Sequence, residues 1–107
     1  MRLFQAGRLK DAAVELALDS RDDNFVIAAL ALRSKVAQVT VERIIKTQSA
    51  SLVIAICWKG GFTMRFALDI QKRPAQIQPA KLINARDGFD YPFTEDEMNE
   101  QIRMLNT

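Results

Sequence analysis

The sequence predicts an all-α fold, in which short helical hairpins stack as an α-solenoid-like (HEAT-like) right-handed array of six to seven helices. Apolar residues recur mostly at helical spacing rather than in the alternation typical of strands. Glycine and proline fall between the apolar runs, where helices end. Residues 25–28 (FVIA) and 52–55 (LVIA) nearly repeat each other 27 positions along the chain, and such a period is typical of stacked supersecondary units.

The repeat extends into the flanking segments. The same shift along the chain also pairs Val14 with Val41, and a shift one position shorter pairs Ile44 with Ile70. Helices one, three and five therefore correspond, and the repeated unit is a helical pair. Stacking such pairs buries apolar surface that no pair can bury alone. The alternative is coincidence, because short helices of similar composition also match by chance.

Capping and breaking residues predict the helix boundaries. Helices two and four are apolar on every side over residues 25–32 and 52–58, which predicts that neighbours enclose both. Thr94 and Glu97 form a capping box before the last helix. The first three predicted helices are residues 9–19, a helix that is capped by Asp22 or Asp23 and ends near residue 34, and residues 38–47. The next two are a helix that is capped by Ser49 or Ser51 and ends at Gly60, and a helix that is capped by Thr63 and ends at Pro74. A short helix from Pro79 through Leu82 and Ile83 and a last helix over residues 94–105 follow.

Charge is unevenly distributed along the 107 residues. Residues 24–86 carry ten Lys and Arg against two acids, whereas residues 87–107 carry six acids against one base. A basic segment can bind phosphates, acidic protein surfaces or the acidic tail, although the simplest alternative is a solvated surface. The candidate partner-binding residues are Arg33, Lys35, Arg43, Lys46, Lys72 and Arg73.

The composition argues against an enzyme. Histidine is absent, which removes the commonest general base and metal ligand, and the single cysteine, Cys57, lies in an apolar run. A minor alternative is catalysis by Asp87, Asp90 or Tyr91. We expect no cofactor and no small-molecule substrate. The longest apolar run, residues 25–32, is shorter than the roughly 18 residues of a membrane helix, so we expect no membrane contact and a cytoplasmic location.

Five segments of the chain resemble a known family. They are residues 25–31 (FVIAALA), 41–44 (VERI), 55–61 (AICWKGG), 85–92 (ARDGFDYP) and 94–98 (TEDEM). Together they resemble the C-terminal part of the bacterial domain-of-unknown-function family number 2336. The resemblance covers residues 9–105. It implies an all-helical, repeat-like domain of unassigned function and without catalytic residues, and the chain is then a fragment or a short relative of a longer architecture. From its length alone the chain fits one domain, residues 1–107.

The leading functional prediction is a non-enzymatic helical module for protein–protein interaction or regulation. The ends of a helical array need polar outer faces, and the first hairpin has apolar residues at Leu3, Phe4 and Leu9. We therefore predict self-association through that end, with the acidic last helix as the polar opposite end. The alternative is binding of nucleic acid or an acidic partner through the basic middle segment.

Overall fold

The computed structural model describes residues 8–87 and 90–105. These residues contain six α-helices and no strand, so the predicted all-α class is confirmed, and one isolated backbone bridge joins Arg86 to Asp90. The helices are α1 (Arg8–Asp19), α2 (Asp23–Ser34), α3 (Gln38–Thr47), α4 (Ala50–Lys59), α5 (Met64–Lys72) and α6 (Glu95–Leu105), with a 3₁₀ turn at Pro79–Lys81 between α5 and α6.

Side-chain caps begin three of the helices. Asp22 and Thr63 each accept a hydrogen bond from the amide three residues later, at 3.3 and 3.1 Å. Before α6, Thr94 and Glu97 form the predicted capping box, because each side chain accepts a hydrogen bond from the backbone amide of the other residue. Ser49 precedes α4, but its side chain makes no capping bond.

Helix α4 lies at the centre of the fold. It packs against α2, α3, α5 and α6, and residues 53–57 have no exposed surface. The prediction that neighbours enclose helix four is therefore confirmed. The Cα radius of gyration is 12.8 Å, close to the roughly 13 Å expected for a globular chain of this length.

The predicted short sixth helix is wrong beyond its first turn. The 3₁₀ turn ends at Lys81, and Leu82 already has an extended backbone (φ −67°, ψ 143°). The cause is Gln71 of α5, whose side chain is completely buried. Its Oε1 accepts a hydrogen bond from the Ile83 amide at 2.9 Å, and its Nε2 donates to the Ile83 carbonyl at 3.0 Å. These bonds satisfy both peptide groups of Ile83 without a helix.

Left-handed backbone turns recur along the chain in two series. Within each series the spacing is nearly constant and close to the period of the sequence repeat. The first series follows α1, α3 and α5, whereas the second follows α2, α4 and the segment after the 3₁₀ turn. The two series are Arg21 (φ 61°), Gln48 (59°) and Gln76 (51°), and Lys35 (60°), Gly61 (80°) and Asp87 (55°).

The first and third helical pairs also contact each other directly. Arg73, which follows α5, forms an exposed ion pair of 2.6 Å with Asp19 at the end of α1. In an extended array each pair touches only its neighbours in sequence. This ion pair therefore joins two helical pairs that are not adjacent in sequence.

Replacement of Gln71 tests the role of its carboxamide. We expect Gln71→Leu to lower the free energy of unfolding by about 2 to 3 kcal/mol, because the peptide groups of Ile83 lose their buried partners. The matched control is Gln78→Leu, since Gln78 is exposed, and it should stay within about 0.5 kcal/mol of the parent chain. Urea denaturation followed by circular dichroism gives both values. Equal stabilities of the two variants would contradict this role.

Candidate interaction surface

One face of α2 is open to solvent along most of the helix. Phe25 is 42% exposed and Leu32 is 53% exposed, and Ala28 between them is exposed as well. These residues are three and four positions apart, so they lie on one side of the helix. We refer to Phe25, Ala28 and Leu32 as the α2 open face. Apolar side chains grouped on one helix face, rather than scattered singly, are typical of a contact surface.

The corresponding face of α4 is covered at Ala55 and partly covered at Leu52, whereas Lys59 at its C-terminal end is exposed. The sequence repeat relates the α2 open face to Leu52, Ala55 and Lys59. Ala55 has no exposed surface and Leu52 is half-buried. Lys59 donates from Nζ to the Ser34 carbonyl of α2 at 2.7 Å, which indicates that this side of α4 is turned toward α2. Leu52 and Ala55 are therefore less exposed than their equivalents in α2, because α4 has α2 as a neighbour on this side.

The prediction that neighbours enclose helix two is wrong on this face. Helix α2 packs mainly against α1, α3 and α4, and Phe25, Ala28 and Leu32 remain exposed on its other side. A helix that is apolar all round gives no sign in its own sequence of which side stays open. One signal was available in the repeat, since Leu32 corresponds to the charged Lys59 and so stands at a position that tolerates solvent.

The C-terminal ends of α2 and α4 are joined by two reciprocal hydrogen bonds. Arg33 of α2 donates from Nε to the Gly60 carbonyl at 2.9 Å, and its guanidinium carbon lies 3.9 Å from the centre of the Phe62 ring. In return, Lys59 of α4 donates to the Ser34 carbonyl. Each cation thus meets a carbonyl at the negative end of the other helix. We refer to this pair of bonds as the reciprocal cap.

The candidate basic residues occupy different parts of the surface. Arg33 belongs to the reciprocal cap and is half-buried. Lys35 is exposed at the turn after α2, and Arg43 and Lys46 are exposed on α3. Arg43 also lines a cleft of about 320 Å³ that includes Met104 of α6. These residues therefore do not form one cluster.

Lys72 and Arg73 are brought together near the turn between α1 and α2. With Arg21 and Asp23 they line a pocket of about 200 Å³. Arg73 forms its ion pair with Asp19 at the same turn, and that hydrogen bond is the main cause that raises the pKa of the exposed Arg73 guanidinium. The pocket therefore contains three cations whose charge is partly balanced by nearby acids.

Two of the three residues considered for catalysis, Tyr91 and Asp90, make structural contacts. The Tyr91 hydroxyl donates to the Phe62 carbonyl at 2.6 Å, and burial is the main cause that raises the pKa of Tyr91 above its usual value. Asp90 pairs through its backbone with Arg86, and Asp87 is exposed. Complete burial also raises the pKa of the Cys57 thiol well above its usual value, so this thiol is poorly suited to act as a nucleophile.

The acidic side chains of α6 face solvent. Asp96, Glu97 and Glu100 line a cleft of about 380 Å³ together with Ser51 of α4 and Phe93. Residues 8–87 and 90–105 contain no group of three or more His, Cys, Asp or Glu side chains arranged to hold a metal ion. Helix α6 therefore presents acidic side chains to solvent, together with the exposed Met104 near its C-terminal end.

Two further predictions concern the N-terminal end and the membrane. Leu3 and Phe4 lie outside the described residues, and Leu9 lies in α1 at a position where the structure does not describe the side chain. No single helix in the described part of the chain is long and apolar enough to cross a membrane. Only α2 and α3 taken together pass the criteria of length and composition, and they are bent by 118° at the break between them.

Comparison of the chain with family models, with curated proteins and with solved structures finds no match in any of the three.

Cysteine reactivity tests the difference between α2 and α4. In dilute solution we expect Ala28→Cys to react with Ellman's reagent at least tenfold faster than Ala55→Cys, because Ala28 is exposed and Ala55 is fully buried at the equivalent position. The parent chain is the control, since its only thiol, Cys57, is buried and should remain unreactive in the folded protein. Similar rates for the two variants would show that the two faces do not differ in exposure.

Proposed function

We propose that this protein is a non-enzymatic helical interaction module that binds a protein partner through the α2 open face. The observation that carries the proposal is the exposure of Phe25, Ala28 and Leu32 on one side of a helix that is otherwise packed. A single exposed leucine is normal on a protein surface, but a row of apolar residues along a helix fits the groove-and-helix type of recognition.

The position of this face in the fold supports the proposal. The left-handed turns recur at nearly the period of the sequence repeat, which supports a helical pair as the repeated unit of the right-handed, HEAT-like array that we propose. In such an arrangement the α2 open face is the side on which a preceding helical pair would pack, because α4 uses the equivalent side against α2. The proposed partner therefore supplies a helix at that place.

The rest of the chemistry agrees with binding rather than catalysis. Tyr91 is engaged in a structural hydrogen bond, and Cys57 is buried with a raised pKa. A free, buried thiol suits a reducing compartment, which supports the proposed cytoplasmic location. The resemblance to the C-terminal part of family 2336 remains part of this proposal, as an all-helical relative without catalytic residues.

The second candidate function is binding of a nucleic acid or an acidic partner. The observation that favours it is the pocket in which Lys72 and Arg73 lie beside Arg21. Binding through phosphates would weaken steeply as salt rises. If a labelled duplex or single-stranded RNA binds at low salt no better to the parent chain than to a Lys72→Ala, Arg73→Ala double variant, this candidate is excluded.

Charge placed on the α2 open face should abolish partner binding. We expect immobilised parent chain to retain specific proteins from the native cell extract, and Leu32→Glu to lose most of them, because the carboxylate would be buried in the interface. Leu16→Glu is the matched control, since Leu16 is an exposed leucine of α1 that is 66% exposed and lies outside this face. Quantitative mass spectrometry compares the three samples. An identical set of proteins on parent chain and Leu32→Glu would contradict the proposal.

A further inference from the structure

A small pocket lies between the turn after α1 and the end of α5. Its volume is about 200 Å³, and three cations line it, namely Arg21, Lys72 and Arg73, together with the single acid Asp23. We refer to this space as the cation pocket. A cleft that is lined mainly by one sign of charge concentrates ions of the opposite sign, so the lining points to an anionic ligand.

Hydrogen bonds hold the backbone around the cation pocket in place. At the end of α5, Arg73 donates from Nη1 to Asp19 at 2.6 Å, and its amide donates to the Asp69 carbonyl at 2.9 Å. Gln76 also lines the pocket, and its carbonyl accepts a hydrogen bond from Nε2 of Gln48 at 3.0 Å. A ligand therefore meets a pocket whose backbone is already ordered, which lowers the entropic cost of binding.

The cations of the pocket retain hydrogen-bond donors for a ligand. A guanidinium group has five N–H donors and an ammonium group has three. Arg73 uses one of its donors for Asp19. Within residues 8–87 and 90–105, the side chains of Arg21 and Lys72 make no hydrogen bond or ion pair with another residue. Most donors of the pocket can therefore bind acceptors from outside the chain.

Acidic side chains beside the pocket limit its net charge. Asp19 pairs with Arg73, Asp23 lies in the lining, and Asp22 caps α2 at the same turn. Three acids thus lie near three cations, so long-range attraction for a polyanion is weak and affinity must come from short hydrogen bonds. A phosphate group offers several strong acceptor oxygens in a small volume, and it carries nearly two negative charges when it is attached at one point.

The size and surroundings of the pocket favour a single phosphate group over a nucleic-acid strand. Its volume is below the roughly 300–1,000 Å³ of pockets for drug-sized ligands, so it admits a small group rather than a whole nucleotide. A strand also requires a positively charged groove that follows its backbone. The other candidate cations do not extend the pocket into such a groove, because Arg33 belongs to the reciprocal cap and Arg43 and Lys46 lie on α3.

We propose that the cation pocket binds a phosphate group that is either free or attached at one point, as in a phosphorylated serine of a protein partner. Arg21, Lys72 and Arg73 donate hydrogen bonds to its oxygens, which is how arginine clusters recognise phosphorylated motifs. This inference rests on the second candidate function and specifies its ligand. It is independent of the α2 open face.

Fluorescence anisotropy with a labelled peptide tests the ligand. The probe is a short glycine–alanine peptide with one phosphoserine, and its control is the same peptide with unmodified serine. We expect the full chain to bind the phosphopeptide at least about tenfold more tightly at low salt, because hydrogen bonds between charged groups are lost with the phosphate. Equal binding of the two peptides overturns the inference.

Competition by inorganic phosphate distinguishes the two sources of the ligand. Equal dissociation constants for inorganic phosphate and the phosphopeptide would show that the phosphate group alone is recognised. Tighter binding of the phosphopeptide would show that the partner contributes further contacts. Both results support the pocket as a phosphate site, whereas failure of inorganic phosphate to displace the phosphopeptide overturns the inference.

Charge-removing variants locate the site. We expect Lys72→Gln and Arg21→Gln each to weaken phosphopeptide binding by about tenfold, because each removes donors from the pocket. Lys46→Gln is the matched control, since Lys46 is exposed in the last turn of α3 as Lys72 is in the last turn of α5. Its binding should equal that of the parent chain. Equal weakening by Lys46→Gln and Lys72→Gln would show that only net charge matters and would overturn the inference.

A labelled single-stranded RNA separates this inference from the second candidate function. If the RNA binds in a manner that depends on Lys72 but the phosphopeptide does not bind, the pocket binds nucleic acid and only this inference fails. If neither probe depends on Lys72, both are overturned. Binding of the phosphopeptide that depends on Lys72, without such binding of the RNA, supports a phosphate group attached at one point as the ligand.

Discussion

The reciprocal cap between α2 and α4 is the interaction on which the rest of the structure depends. Arg33 and Lys59 each reach across to a terminal carbonyl of the other helix, and Arg33 also covers the ring of Phe62. Two hydrogen bonds and a cation–π contact at one junction fix how the two helices are rotated relative to each other. Because residues 53–57 of α4 are fully buried, the position of α4 is determined by the core. The reciprocal cap fixes the position of α2 relative to α4, and α2 packs against fewer helices than α4 does.

The rotation of α2 determines which of its residues meet solvent. Val26 and Leu30 are directed into the core, so Phe25, Ala28 and Leu32 are directed away from it. The exposed face is therefore a consequence of tight packing on the opposite side rather than of a loose helix. At the other side of α4, Gln71 holds the extended segment around Ile83 where the repeat would place another helix. The segment around Ile83 is therefore extended, whereas α2 is a helix with a row of exposed apolar residues on one side.

Local features of this fold can be predicted from sequence, whereas its long-range contacts cannot. The capping box of Thr94 is readable because both partners lie within one helical turn. The helix expected through Ile83 does not form, because the side chain of Gln71 in α5, 12 residues earlier, makes hydrogen bonds with both the amide and the carbonyl of Ile83. The sequence predicts that Arg33 is a surface cation, but in the structure its Nε donates a hydrogen bond to the carbonyl of Gly60 at the end of another helix. The α2 open face could not be predicted from the sequence for the same reason. Apolar periodicity shows that a residue can pack against a neighbour, but it does not show whether a neighbour is present.

A double-mutant cycle on the reciprocal cap tests this account most directly. Arg33→Leu should lower the free energy of unfolding by about 1 to 2 kcal/mol, whereas Arg65→Leu, at an exposed arginine of α5, should change it by less than about 0.5 kcal/mol. Combining Arg33→Leu with Lys59→Leu should cost less than the two single changes added together, by about 0.5 to 1 kcal/mol, because both bonds secure the same junction. Single variants as stable as Arg65→Leu, or strictly additive losses, would show that α2 is held by apolar packing alone.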